Sequence, residues 1–239
     1  MKPCAVLPCA LIFDMDGVLI DSNPFHLRKW ANLLTKHHIP YNPADLPTQV
    51  LGHRNDHAFR FFFGPGLSKA RSRELSEELE GNFRRAFKPH AKPLPGLHAL
   101  IVECQSGGIP MAVASSAMKK NLEFVIDALG FRPYFQVLVS GDEVASPKPD
   151  PEIYLKTAAL LGIEPAACVA FEDSFVGIEA AKRAGMLCVG IASTFSRLQL
   201  EEETRADWVT SNFEGITLRR LREQFSLAAH PESAPGRAT

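Results

Sequence analysis

The first run of apolar positions, Ala10-Leu11-Ile12-Phe13, is continuous rather than alternating, and it stops at Asp14. A short apolar run that ends in polar residues and Gly17 reads as a strand buried on both faces. From Asn23 the period changes. Leu27, Trp30, Leu33 and Leu34 fall on one helical face, Ser22 or Asn23 can cap, and Pro24 suits the first turn. Helical patterning continues over 55–63 and 68–87, broken by Gly64-Pro65-Gly66, and the Pro-rich stretch 88–96 reads as a linker. The chain then alternates. Helices are predicted over 97–105, 119–129 and 175–184, the last closed by Gly185, and strands over 111–115, 136–140, 168–171, 187–191 and at Trp208-Val209. A further helix starts at Asp150-Pro151-Glu152, with Asp150 as its cap and Ile153, Tyr154, Ala158 and Leu161 as its buried face.

Strand and helix alternating in this way predict an α/β fold, a Rossmann-like parallel sheet with helices on both faces. The helical segment 23–92 interrupts it, so the expected organisation is a discontinuous core, 1–22 and 93–239, with an inserted helical cap. The last residues, 228–239, are rich in Ala, Pro, Ser and Gly and are expected to be disordered.

Composition narrows the class. With 46% apolar and 22% charged residues the chain has the balance of an ordinary globular protein. Its net charge of −1 gives no reason to expect nucleic acid. No run approaches a membrane span, and Pro3, Pro8 and Asp14 interrupt the N-terminal apolar stretch, which reads as a leader into the first strand and not as a secretory signal. Five cysteines without C-x-x-C spacing predict reduced thiols and a cytoplasmic protein, with Cys168 and Cys188 as core filler, and a monomer is expected. Charge is unevenly spread. Residues 23–92 hold twelve Lys and Arg against six Asp and Glu, and six of the eight histidines. Two readings stand, a solvated basic helical surface or a basic lid over an acidic floor that attracts a phosphorylated metabolite.

Four segments end predicted strands, or follow them closely, with polar groups: Asp14 and Asp16, Ser115-Ser116, Lys148-Pro149-Asp150-Pro151, and Glu172-Asp173. In a parallel sheet all strand C-termini share one edge, so these groups converge. Asp14 and Asp173 held close would repel unless a cation or a proton came between them. Oxygen donors without His or Cys point to Mg²⁺ rather than zinc. Ser115 with nearby backbone N–H groups, and Lys148, can hold phosphoryl oxygens.

Asp14-Met15-Asp16-Gly17-Val18-Leu19-Ile20-Asp21-Ser22, Ala114-Ser115-Ser116, Lys148-Pro149-Asp150-Pro151 and Phe171-Glu172-Asp173-Ser174, in this order, resemble the haloacid dehalogenase superfamily of phosphotransferases. The inserted helices resemble its small cap, as in the β-phosphoglucomutase and phosphoglycolate phosphatase branches. The resemblance implies that Asp14 is the nucleophile and Asp16 the acid and base, its carbonyl also binding Mg²⁺. Asp173 would ligate the metal, assisted by Glu172, while Ser115, Ser116 and Lys148 hold the phosphoryl group. An acid at Asp16 favours phosphoryl transfer over C–halogen cleavage. Asp21, Ser22, His26 and Trp30 match the mutase branch, where the corresponding His aids substrate binding; a partly exposed helix His is the plain alternative. Gly52-His53-Arg54 resembles the cap's substrate loop, and Arg54 is either a clamp for an anionic group or a surface residue. A mutase carries Lys before that Gly and Arg three residues after it, where this chain has Leu51 and Asn55. The expected activity is therefore a Mg²⁺-dependent phosphatase for a small phosphorylated metabolite, a sugar phosphate. A hexose-phosphate mutase is the alternative, and a catalytically inactive binding protein ranks third.

Overall fold

The computed structural model describes residues 7–226 and shows six strands and ten α-helices among them. The strands β1 (Ala10–Phe13), β2 (Met111–Ser115), β3 (Val137–Ser140), β4 (Cys168–Glu172), β5 (Leu187–Ile191) and β6 (Trp208–Thr210) form one sheet in the order β3-β2-β1-β4-β5-β6. Every pairing is parallel. The strand order reverses at β1, flanked by β2 and β4, and such a reversal opens a crevice at the C-terminal edge of the sheet.

Side chains alternate between the two faces of the sheet. Leu11 and Phe13 of β1 point into one apolar cluster, where α5 (Leu97–Ser106), α6 (Lys119–Ala128) and α10 (Leu218–Ser226) contribute Leu100, Val125 and Leu221. Ala10 and Ile12 point into the other, covered by Ile153 and Tyr154 of α7 (Glu152–Leu161), Ile178 of α8 (Phe175–Arg183) and Leu200 of α9 (Arg197–Glu203). Within the first cluster the Phe13 and Phe171 rings stack at 4.8 Å, tying β1 to β4 immediately below the acidic residues.

The helices α1 (Asn23–Lys36), α2 (Leu46–Val50), α3 (Asn55–Phe63) and α4 (Lys69–Phe87) pack around a third apolar cluster of their own, centred on Trp30, Leu34, Phe59 and Leu79. The apolar stripe expected on α1 faces this cluster. The chain leaves the sheet after Ile20 and returns beside it, where Leu94 N–H donates to the Leu19 carbonyl at 3.0 Å.

Several local expectations are corrected. The hydroxyl of Ser22 does not cap α1; it donates to Asp16 Oδ1. Asp150 stands one residue before the cap position of α7, yet its carboxylate still accepts from Glu152 N–H at 2.9 Å. Phe61, expected in the cap core with Phe62 and Phe63, is 51% exposed. Cys9 is disulfide-bonded, against the expectation of reduced thiols throughout, because pairing needs proximity in space and not motif spacing. Cys104, Cys168 and Cys188 are free and buried. The expected disordered tail, 228–239, and the leader residues 1–6 lie outside the described residues. No described helix is long and apolar enough to cross a membrane.

Candidate active site

Asp14 is the first residue beyond β1, Ser115 closes β2, Glu172 closes β4, and Asp173 follows it. The register that pairs Phe13 with both Val113 and Phe171 sets these strand ends side by side. Lys148 reaches them from the loop after β3. Its Nζ donates to Asp14 Oδ1 at 2.7 Å, to Glu172 Oε1 at 2.6 Å and to the Ala114 carbonyl at 3.0 Å, so all three ammonium protons are used. Burial alone would lower the Lys148 ammonium's pKa, but Asp14 and Glu172 beside it raise it well above its ordinary value.

Glu172 is fully buried and saturated. Tyr154 Oη donates to its Oε1 at 2.6 Å, and Asp173 N–H and Ser174 Oγ donate to Oε2, each at 3.2 Å. Asp173 is held from two other directions, by Asn23 Nδ2 at 2.8 Å and by the hydroxyl of Thr194. Gly17 permits this approach. Its φ is +78°, and a Cβ there would stand 1.9 Å from Asp173 Oδ2.

The carboxylates crowd one another. One oxygen from each of Asp14, Glu172 and Asp173 lies within 4.8 Å of the others. Burial, opposed by Lys148 but reinforced by Glu172 and Asp16, pushes Asp14 up to about 7. Burial, with Glu172 and Asp14, pushes Asp173 well above the carboxylate range. Such a buried set of oxygen donors gains from a hard cation, and it fits Mg²⁺ by donor type. Asp16 is the opposite case. Burial favours its neutral form, but the charge and hydrogen bond of His26, with the Ser22 hydroxyl and Lys29, outweigh this and hold it below its ordinary value. His26 Nε2 lies 2.8 Å from Asp16 Oδ1, and its ring stacks on Phe83.

Above this floor lies a cavity of about 880 Å³, walled by the strand ends and by the helical layer. Asp14, Asp16, Ser115, Ser116, His26 and Arg54 all line it, whereas Lys148, Glu172 and Asp173 do not. Two residues are tied across the cleft. Ser116 Oγ donates to the Gly52 carbonyl at 2.9 Å. Arg54 turns its guanidinium to Asp56 and, at 3.4 Å each, to the carbonyls of Gly141 and Val144. Lys119 and Lys120 are exposed.

Sequence reasoning missed Asn23, Thr194 and Tyr154, which orient the acidic groups, and a buried group lining the cavity in which Lys29 pairs with Glu80. A signal was available for two of these. Asn23, His26 and Lys29 recur every three residues and so share a face of α1.

Residues 10–185 match the family model of haloacid dehalogenase-like hydrolases. The chain is 32% identical to validoxylamine A 7′-phosphate phosphatase of Streptomyces hygroscopicus subsp. limoneus over 195 residues, 80% of this chain and 89% of that protein. It is 29% identical to β-phosphoglucomutase of Bacillus subtilis over 233 residues, 95% of this chain and 99% of that one. The crystal structure of β-phosphoglucomutase from Clostridium difficile shares the fold, with a TM-score of 0.81 at 24% identity over 92% of this chain and 98% of the other. The chain thus belongs to the haloacid dehalogenase-like hydrolases and is an enzyme of that family.

Proposed function

We propose that this enzyme is a Mg²⁺-dependent phosphatase that removes the phosphoryl group from a small sugar phosphate through an aspartyl phosphate on Asp14. The observation that carries this is the division of labour between two carboxylates. Asp14 is aimed into the cavity and backed by Lys148, while Asp16, two residues on, is held separately by His26 and Ser22. Pairs of acids whose surroundings push their proton affinities apart suit the roles of nucleophile and proton carrier.

Asp14 attacks phosphorus, the bond to the leaving oxygen breaks, and Asp16 delivers a proton to that oxygen. Asp16, a carboxylate in the free site, must take up a proton before it acts as this acid. Giving it up restores the carboxylate, which accepts a proton from the incoming water as water attacks the aspartyl phosphate, the bond from Asp14 to phosphorus breaks and phosphate leaves. Ser115 positions the transferring group, and Lys148, whose protons go to Asp14, Glu172 and the Ala114 carbonyl, acts through Asp14 to offset the charge that develops on it. Asp14, the Asp16 carbonyl and Asp173 would hold Mg²⁺, with Glu172 supporting them; when bound, the ion neutralises the carboxylates and the phosphoryl oxygens together. Segment 23–92 acts as a cap on the core formed by 1–22 and 93–239, closing the cavity and excluding bulk water.

The likeness to a relative named β-phosphoglucomutase supports the sugar-phosphate class, and the likeness to one named a phosphatase supports the reaction. The test is phosphate release from a panel of sugar monophosphates and from p-nitrophenyl phosphate, with and without Mg²⁺. Turnover that needs Mg²⁺ and vanishes in Asp14→Asn is expected, and turnover that survives Asp14→Asn overturns the mechanism. Mutase activity is the second reading, favoured by the end-to-end match to β-phosphoglucomutase and by the contact between His26 and Asp16. Arg54 weighs against it, since its donors are already engaged by Asp56 and two core carbonyls. Glucose 1-phosphate with a bisphosphate primer separates the two. Conversion to the 6-phosphate faster than phosphate release would put the mutase first.

A further inference from the structure

Lys29 and Glu80 form a buried ion pair on the wall of the cavity, hydrogen-bonded to each other and not to the reacting carboxylates, although the Lys29 charge is felt at Asp16. Lys29 Nζ meets both oxygens of Glu80 at 2.7 Å, and the two side chains are 6% and 5% exposed. Glu80 is then completed by two amides. Asn55 Nδ2 donates to Oε1 at 2.7 Å, and Asn121 Nδ2 donates to Oε2 at 2.5 Å. One carboxylate therefore gathers α1, α4, the start of α3 and, across the cleft, α6. Lys29 also lies over the face of Phe83, the ring on which His26 stacks.

A pair of this kind is a poor way to stabilise a fold, because well-packed apolar residues in its place are often neutral or stabilising. Its place in the cavity wall gives it another use. An ammonium has three protons, of which Glu80 takes two, and Lys29, Asn55 and Asn121 all face the cavity. Sugar hydroxyls are both donors and acceptors, so a fixed ammonium proton beside an amide oxygen answers them directly, in a site where an unmatched polar group is costly.

We propose that Lys29, positioned by Glu80, is a specificity-determining residue that donates to hydroxyl groups of the sugar attached to the phosphate, with Asn55 beside it as the acceptor. The proposal rests on the sugar-phosphate reading of the site.

The experiment compares kcat/KM for the best sugar monophosphate of the panel with kcat/KM for p-nitrophenyl phosphate, which has no hydroxyls to read, in wild type, Lys29→Met and Lys29→Met/Glu80→Gln. The double variant leaves no buried charge without a partner, so it provides folded protein should the single variant fail. The expected result is a ratio of sugar to aryl turnover that falls roughly tenfold or more, the scale of one lost charge-assisted hydrogen bond. An equal fall on both substrates in the folded double variant would make the pair structural and overturn the proposal, as would an unchanged ratio. A wild type active on the aryl phosphate but on no sugar phosphate overturns the proposal while leaving phosphatase chemistry intact. Absence of Mg²⁺-dependent turnover on any substrate would instead overturn the functional reading beneath it.

Discussion

Replacing Lys148 by Met removes one charge from a place where it serves two carboxylates. The ammonium sits 2.7 Å from Asp14 and 2.6 Å from Glu172, with 1% of the lysine side chain exposed against 10% and 1% for its partners. At about 4 Å between charge centres and an effective dielectric near 20, each attraction is ~4 kcal/mol, much of it offset by the cost of burying the lysine. Met keeps the volume of the stem and leaves the two carboxylates uncompensated. Breaking a buried pair from one side costs about 3–5 kcal/mol. For a chain of this size ~1 kcal/mol moves Tm by about 2–4 °C, so a fall of roughly 6–20 °C is expected at pH 8. The deficit depends on pH. Burial holds Asp14 up to about 7 even with Lys148 present, and loss of that ammonium raises it further. A carboxyl whose folded pKa is raised favours the folded state below its unfolded pKa and loses that contribution as pH rises through the folded value. The gap between variant and wild type should therefore be widest at pH 8 and narrow toward pH 5. Thermal unfolding followed by near-ultraviolet circular dichroism, in a chelator so that no cation substitutes for the lysine, measures it. A fall under about 2 °C at pH 8, small against the expected loss, would refute the reasoning. A gap that widens toward pH 5 would refute it as well.

Gly17→Ala forces a Cβ to within 1.9 Å of Asp173 Oδ2 at a φ of +78°, so Asp173 must move. The backbone strain alone costs about 1–2 kcal/mol. The Mg²⁺ concentration for half-maximal phosphate release should rise about tenfold or more, the loss expected when the surroundings of a metal ligand are disturbed, and an unchanged Mg²⁺ dependence would show that Asp173 does not ligate. Mg²⁺ at 100 times its Kd should stabilise the wild type by about 2.7 kcal/mol, and a thermal-shift experiment should see this lost in Asp173→Ala. A shift that persists in the variant would place the ion elsewhere. Burial would push Glu80 up, but Lys29 and Asn55 hold it below its ordinary 4.5. Its contribution to stability is therefore present above pH 4.5 and lost as pH falls through its lowered value. Glu80→Gln should flatten the acid limb of Tm against pH, and an acid limb identical to that of the wild type would refute this.

The strand ends were readable because carboxylates that interrupt an apolar run have few places to go. Asp14, Ser115, Glu172 and Asp173 meet because a parallel sheet carries all its C-terminal ends to one edge, and Lys148 follows from the loop after β3. What could not be read depends on the helical layer meeting the sheet. Nothing near Asp173 in the chain announces Asn23, which is 150 positions away, or Thr194. Ser22 has every local qualification for a cap, yet Asp16 is a charged acceptor within reach and takes its hydroxyl instead. Lys29 is the clearest case. A lysine between apolar positions on a helix is ordinarily assigned to solvent, and only Glu80, 51 residues on, makes its burial affordable.

This difference between readable and unreadable residues also separates reaction from selectivity. The groups proposed to act on phosphorus stand on or just beyond the sheet, where local pattern and topology suffice to place them. The groups that can meet the rest of a substrate, His26, Lys29, Arg54 and Asn55, stand on or before the helices of 23–92, and their partners come from other elements. Arg54 shows the consequence. Its position beside Gly52 suggested a clamp for an anionic group, but contact with the core turns it to the Gly141 and Val144 carbonyls. A cation tied to those carbonyls is one fewer for a second phosphate, and this is the ground on which the proposed phosphatase reading stands ahead of the mutase one.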